Sequence, residues 1–273
     1  MSMNSTAAPF DQAAGLRELF ANALPSGMPG AASVDAPPSP TVHALVCPAR
    51  PALVLPLAQV CAQWWRQNGV RHLWVDELDF AHREEWPFAC QLRFDLAQGL
   101  AQHVPLDQTL HALKPSNAYY AGARRLAQYA PQITQPLVEQ LRQSHLALDH
   151  MLVSWDPLAV GRPWSIYGAP VQPVYLCEAT ERAAEQGLKW LTEQQVDKGL
   201  DGSRASVVFY SAHPEDSESA KAQALWQASW QALQGQPPAW MGHVVAAPDA
   251  GLSSNLKSWQ DLANRWLSDL TRV

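Results

Sequence analysis

The chain has 273 residues, 47% of them hydrophobic, enough for one full core with appendages. Its formal charge of −6 and pI near 5.8 argue against the basic face that a nucleic-acid binder presents. No run approaches the roughly 18 apolar residues of a membrane span, and the opening MSMNSTAAP lacks the basic and apolar regions of a secretory signal. Cys47, Cys61, Cys90 and Cys177 are scattered without a CxxC pair, so they read as buried thiols rather than a disulfide framework or a zinc site.

The first element in chain order is a short helix within residues 1–24. Asp11 suits its N-cap, because a carboxylate there accepts from the orphan amides of the first turn. Ala13, Leu16 and Phe20 recur at helical spacing, with Leu19 widening the stripe, and Pro25 ends the segment. Gly15 costs about 1 kcal/mol relative to alanine, and so short a helix is marginal unless it docks on something. Docking on its own domain is the plain alternative to docking on a partner. Residues 25–40 (PSGMPGAASVDAPPSP) carry five prolines, two glycines and almost no apolar bulk. That composition predicts a linker with a reach of about 20 to 50 Å.

From residue 41 to 254 strand and helix patterns alternate. Strands are expected at Val42–Val46, His72–Val75, Ala118–Ala121, Met151–Val153, Val171–Cys177, Ser206–Tyr210 and Gly242–Ala246. Helices are expected at Leu53–Gln67, Phe94–Gln102, Leu106–Leu113, Leu137–Ser144, Thr180–Glu193 and Ser217–Leu233. The alternation predicts an α/β domain, a mostly parallel sheet covered by helices on both faces, preceded by the tethered helix. Twelve tryptophans are many, and several fall where a helix needs bulk against a sheet.

Residues 255–273 form a last helix. Leu256, Trp259, Leu262, Trp266 and Leu270 recur at three- and four-residue steps, with Lys257, Asp261, Arg265 and Asp269 off the stripe. The apolar face suits a membrane interface or a sheet. The polar face is charge-balanced rather than basic, which favours packing on the sheet and leaves membrane contact at most peripheral.

Asp11-Gln12-Ala13-x-x-Leu16-Arg17 is similar to the DQAxxLR element at the N-terminus of FlhG/FleN, the MinD-like regulators of flagellar number. In that family the element stimulates FlhF, a GTPase of the SRP type. The stretch Phe94-Asp95-Leu96-Ala97-Gln98-Gly99-Leu100 followed by Pro105 to Leu110 resembles the YDLAxxL region of FlhG and MinD, and Ala121-Gly122-Ala123-Arg124 sits where that family has its PAGR-like turn. The resemblance implies a MinD/SIMIBI-like fold over 41–254 and an FlhF-like partner. The partner-binding residues would be Asp11, Gln12, Ala13, Leu16, Arg17 and Phe20, with Gln12 entering or remodelling the partner's site. It also implies a cytoplasmic protein, peripheral at most at the inner membrane or cell pole. The alternative it permits is a scaffold or antiactivator that binds a flagellar transcriptional activator or switch component.

The resemblance fails at the nucleotide site. A MinD-like ATPase needs a glycine-rich loop after its first strand, with a lysine and a Ser/Thr. Here that segment is Cys47-Pro48-Ala49-Arg50-Pro51-Ala52-Leu53-Val54-Leu55-Pro56, in which the prolines have no amide to donate to phosphate. Arg50 reads as a solvated loop charge. Asp76 stands where the family's acidic step begins, but Leu78 occupies its second position and Asp79 comes one residue late. Ser154-Trp155 follows the strand at Met151 where the family carries an aspartate. The expectation is a pseudo-ATPase with no catalytic residues, no cofactor and no metal. The nine histidines read as scattered, His145 and His150 being poorly spaced as ligands, and no HExxH, GxSxG or GxGxxG occurs in a strand-to-helix context.

Overall fold

In the computed structural model of the chain, the described residues are 39–82, 92–113, 117–159, 163–198, 204–213, 216–246 and 256–270. The chain divides at Pro37/Pro38, and every described residue belongs to the second unit. The helix and linker expected before residue 39, Cys90 and Asp201-Gly202-Ser203 lie outside the described residues.

Eight strands form one sheet: β1 (Thr41–Val46), β2 (His72–Asp76), β3 (His111–Ala112), β4 (Ala118–Gly122), β5 (His150–Ser154), β6 (Val171–Glu178), β7 (Ser206–Ser211) and β8 (Trp240–Val245). Their order is β3-β4-β2-β5-β1-β6-β7-β8, and all neighbours run parallel except β3, which is antiparallel to β4. From β1 the strands β6, β7 and β8 follow outward on one side, while on the other β5 inserts between β1 and β2. The carboxyl ends of β1, β2, β5 and β6 therefore frame the crevice where open α/β sheets bind ligands.

Among the described residues seven helices cover it: α1 (Val54–Gln67), α2 (Leu96–Leu100), α3 (Leu126–Tyr129), α4 (Leu137–Gln143), α5 (Glu181–Lys198), α6 (Ser217–Gln234) and α7 (Leu256–Leu270). Strand residues alternate between two cores, as the period of two requires. Val42, Ala44, Val46, Val75, Val153 and Phe209 face α2 to α6, while Leu45, Trp74, Leu152, Val174 and Val208 face α1 and α7. The tryptophans do supply bulk between helix and sheet: Trp65, Trp226, Trp230, Trp259 and Trp266 are all buried on helices. Cys47, Cys61 and Cys177 are buried free thiols.

The helix expected over Leu106–Leu113 is not one. Leu106–Thr109 makes a single 3₁₀ turn, closed by Thr109 Oγ1 donating to the Leu106 carbonyl at 2.7 Å. The next residues extend as β3, with His111 opposite Tyr120. The helix expected from Phe94 to Gln102 is shorter, Leu96–Leu100. Its start is set by Asp95, whose carboxylate accepts from Ala97 N at 2.9 Å while Gln98 Oε1 accepts from Asp95 N at 3.0 Å, a reciprocal capping box. The same carboxylate accepts from Arg125 N at 3.2 Å, so it ties the FDLAQ stretch to the turn after β4. Gly99 belongs to this knot, because a Cβ there would fall 2.9 Å from Thr109 Cγ2.

Candidate functional site

The crevice at the carboxyl edge is built by the loop after β1. Cys47, the first residue after the strand, is fully buried, and burial pushes its thiol up to about 11, so it stays protonated. Pro51 then opens a 3₁₀ turn, Pro51–Leu53, whose Leu53 N donates to the Arg50 carbonyl at 2.9 Å and which runs straight into α1. Two of the loop's amides are absent as proline, and a third is spent on the turn. Arg50 is not the solvated charge expected. It is half-buried, with its guanidinium 6.0 Å from the ring centroid of Tyr210 on β7.

Three acidic groups at this edge, Asp76, Glu77 and Asp79, are bound within the protein. Asp76, at the end of β2, is fully buried, and its carboxylate accepts from Phe80 N at 2.6 Å, Leu78 N at 3.0 Å and the Tyr120 hydroxyl. Burial raises it to about 6, against the pull of those donors toward the charged form. Glu77, also buried, accepts from the Tyr167 hydroxyl and from Asp156 N, the latter at 3.0 Å. Ser154 Oγ accepts from Trp74 Nε1 at 2.8 Å, and Trp155 stacks on Trp164 with centroids 3.4 Å apart. Asp79 is held at φ 60° and pairs with Arg124 at 3.1 Å. Glu77 and Tyr167 escaped sequence reasoning, since neither falls in a motif and their meeting depends on the folded loop after β5.

Beside Pro48 and Ala49 lies an open groove of about 420 Å³ along β6 and α5, reaching Glu178, Lys189 and Trp190. Lys189 pairs with Glu193 at 3.9 Å and is largely exposed. No group of three or more His, Cys, Asp or Glu able to hold a metal ion occurs among the described residues.

The other predicted site residues divide in two. Asp11, Gln12, Ala13, Leu16, Arg17 and Phe20 lie outside the described residues. On α7, Trp259, Leu262 and Trp266 are buried against α1 and β8, whereas Lys257, Asp261, Arg265 and Asp269 are exposed. The stripe therefore packs on the domain. The side chains of Leu256 and Leu270 lie outside the described residues. No helix among the described residues is long and apolar enough to cross a membrane.

The histidines are not all scattered. His43, His72 and His150, on adjacent strands, meet beneath Trp65 of α1 and Trp266 of α7. His43 Nε2 and His150 Nδ1 share a hydrogen bond at 3.2 Å. Burial lowers His43 to about 3, with a further contribution from His150, and burial likewise lowers His72 and His150. No local pattern signals this meeting: the three fall on one face of adjacent strands only through the register of β2, β5 and β1.

The mostly parallel eight-stranded sheet with its helices shares its fold with solved MinD/ParA-type structures. The chain superposes on MinD in the MinC:MinD complex of Aquifex aeolicus with a TM-score of 0.53 and 13% identity, over 84% of this chain and 96% of that one. It superposes on a plasmid partition protein of Borrelia burgdorferi bound to AMPPNP with a TM-score of 0.54 and 10% identity, over 85% and 100%. Cobyrinic acid a,c-diamide synthase of Mycobacterium smegmatis, with ADP and magnesium bound, gives 0.53 and 16% over 85% and 96%. No protein-family model and no curated protein matches the sequence. The shared property is the fold.

Proposed function

We infer that this protein is a non-catalytic regulator of flagellar number that stimulates GTP hydrolysis by an FlhF-like GTPase of the SRP type. Position carries the reading: a DQAxxLR element stands ahead of a unit with the MinD/ParA-type fold. Asp11 caps the helix, Leu16 and Phe20 anchor its apolar face, and Arg17 pairs with an acidic group of the partner. Gln12 supplies the polar group that orients water or remodels the partner's site, which is how a GTPase limited by water positioning gains rate.

The domain acts as carrier rather than as ATPase. Support comes from the edge where a phosphate cradle would lie. The loop offers prolines in place of amides, and Asp76 and Glu77 are satisfied by tyrosine hydroxyls and backbone N–H groups. The test is GTP turnover by an FlhF-like GTPase with the full-length protein and with its Gln12→Ala variant. Stimulation by the wild type that falls at least about tenfold in the variant is the expected result. Equal stimulation by both removes Gln12, and the assignment with it.

A further inference from the structure

At the opposite, amino-terminal edge of the sheet, the face covered by α1 and α7 changes character. Along most of each strand this face is Leu, Val or Trp, yet at the strand starts it carries His72 on β2, His150 on β5, His43 on β1, Gln172 on β6 and Ser206 on β7. Burial favours the neutral form of the three histidines, and a neutral imidazole donates from one nitrogen and accepts at the other. The bond between His43 Nε2 and His150 Nδ1 uses one nitrogen of each ring. His43 is fully buried, and its Nδ1 has no partner among the described residues. A bare acceptor is cheaper to leave orphaned than an N–H group, which puts the His43 proton on Nε2, donating to His150. His150 then carries its own proton on Nε2, a donor that no described residue accepts.

The row opens into a cavity of about 500 Å³ lined by His43, His150, Gln172 and Ser206. That volume falls within the range of small-molecule sites, about 300 to 1,000 Å³. Trp240 of β8 and Trp266 of α7 supply two indole walls. Two charged residues border the cavity, Arg204 before β7 and Asp269 on α7, and they are not equivalent. Asp269 is already engaged within the protein. Arg204 is exposed and has neither an ion pair nor a hydrogen bond among the described residues. The charge left over for a ligand is therefore positive. A guanidinium takes a carboxylate through two parallel N–H bonds, and indole walls suit a flat ring. The neutral side chains on the floor offer hydrogen bonds without a second charge.

We propose that this cavity binds an aromatic monocarboxylate. The carboxylate pairs with Arg204, the ring lies against Trp240 and Trp266, and a polar edge of the ring meets the His150 N–H and the Ser206 and Gln172 side chains. An ammonium on the same ligand would lose its water and find no carboxylate free to receive it, so an amino acid binds more weakly than the acid that lacks the amine. The site lies at the other end of the strands from the crevice and does not rest on the reading of that edge.

Isothermal titration calorimetry of the full-length protein with 3-phenylpropanoate, 4-hydroxyphenylacetate and indole-3-acetate tests it. Titrations at about 15 and 30 °C keep a vanishing enthalpy at one temperature from hiding binding, because burial of apolar surface makes the heat temperature-dependent. At least one acid is expected to bind saturably with Kd below about 1 mM. That affinity is expected to fall about tenfold or more in Arg204→Gln, and to be unchanged in Lys189→Gln, which removes an exposed positive charge elsewhere. Both variants alter exposed side chains, and circular dichroism checks that each is folded. L-Phenylalanine, which adds an ammonium, and 3-phenylpropanamide, which lacks the carboxylate, are each expected to bind about tenfold more weakly than 3-phenylpropanoate. Absence of saturable heat for all three acids overturns the proposal. So does an affinity indifferent to Arg204→Gln, or L-phenylalanine binding more tightly than 3-phenylpropanoate.

Discussion

Burial keeps the His43 ring neutral, and this sets part of the pH response. In the folded chain the ring titrates near 3 instead of 6.5, so unfolding lets it take up a proton at any pH below about 6.5. The stability contributed by neutral burial is complete above that value and is lost progressively as pH falls from 6.5 toward 3. At about pH 5 the loss from this one ring is about 2 kcal/mol. Asp76 works in the opposite sense: its folded value of about 6 lies above the ordinary 3.8, so the folded state gains relative stability as pH falls between those two values. The wild-type curve therefore mixes opposing slopes, and a paired comparison isolates the histidine. His43→Phe is expected to gain about 2 kcal/mol relative to wild type between about pH 7 and pH 5 in urea titrations. Parallel curves for the two proteins would mean that His43 already carries a proton in the folded state.

At the scale of elements, α5 and α6 pack closely because Gly187 lacks a side chain. A Cβ there would fall 2.6 Å from Trp226 Cζ3 and 2.6 Å from Tyr175 Cε1, two buried rings with little room to retreat. Gly187→Ala gains roughly 1 kcal/mol in helix propensity. It then forces the rings off their places, at a cost of about 1 to 3 kcal/mol. The expected net effect is destabilisation by about 1 kcal/mol, read as a lower urea midpoint with an unchanged slope; a stabilised variant would show that Trp226 can move. These elements were legible because each strand is a short apolar run and each long helix carries its own period. The chain from Phe94 to Leu113 was legible only in part: its apolar residues fit a helix, but Pro105 and the pairing of His111 with Tyr120 break it into a capped turn, a 3₁₀ turn and an edge strand. The α7 stripe was readable, and so was the balance of its polar face that pointed to packing. What the sequence hid were contacts made across strands, such as Glu77 with Tyr167 and His43 with His150, where no local pattern records that two residues far apart in the chain meet.

For the whole molecule, the fold and the crevice pull in different directions. The sheet places the carboxyl end of β1 at the crevice where open α/β sheets bind ligands, yet the chain there presents Cys47-Pro48-Ala49-Arg50-Pro51 and seats Arg50 over Tyr210. Arg50 gives one cation, but phosphate binding needs several converging amides to replace the water stripped from the anion. Each proline removes one such donor permanently. The nearest carboxylates cannot easily turn to a magnesium ion, because rotating Asp76 outward abandons two backbone N–H groups and a tyrosine hydroxyl inside the core, each costing about 1 to 3 kcal/mol when left unpaired. MgATP is therefore expected to leave the melting temperature unchanged at concentrations near 5 mM. A ligand present at about 100 times its Kd would add about 2.7 kcal/mol, several degrees for a domain of this size. A rise of that order, abolished by Arg50→Ala, would return the chain to the nucleotide-binding proteins. A flat response leaves the sheet as a rigid carrier, and whatever the protein does to a partner must then be done without a nucleotide clock.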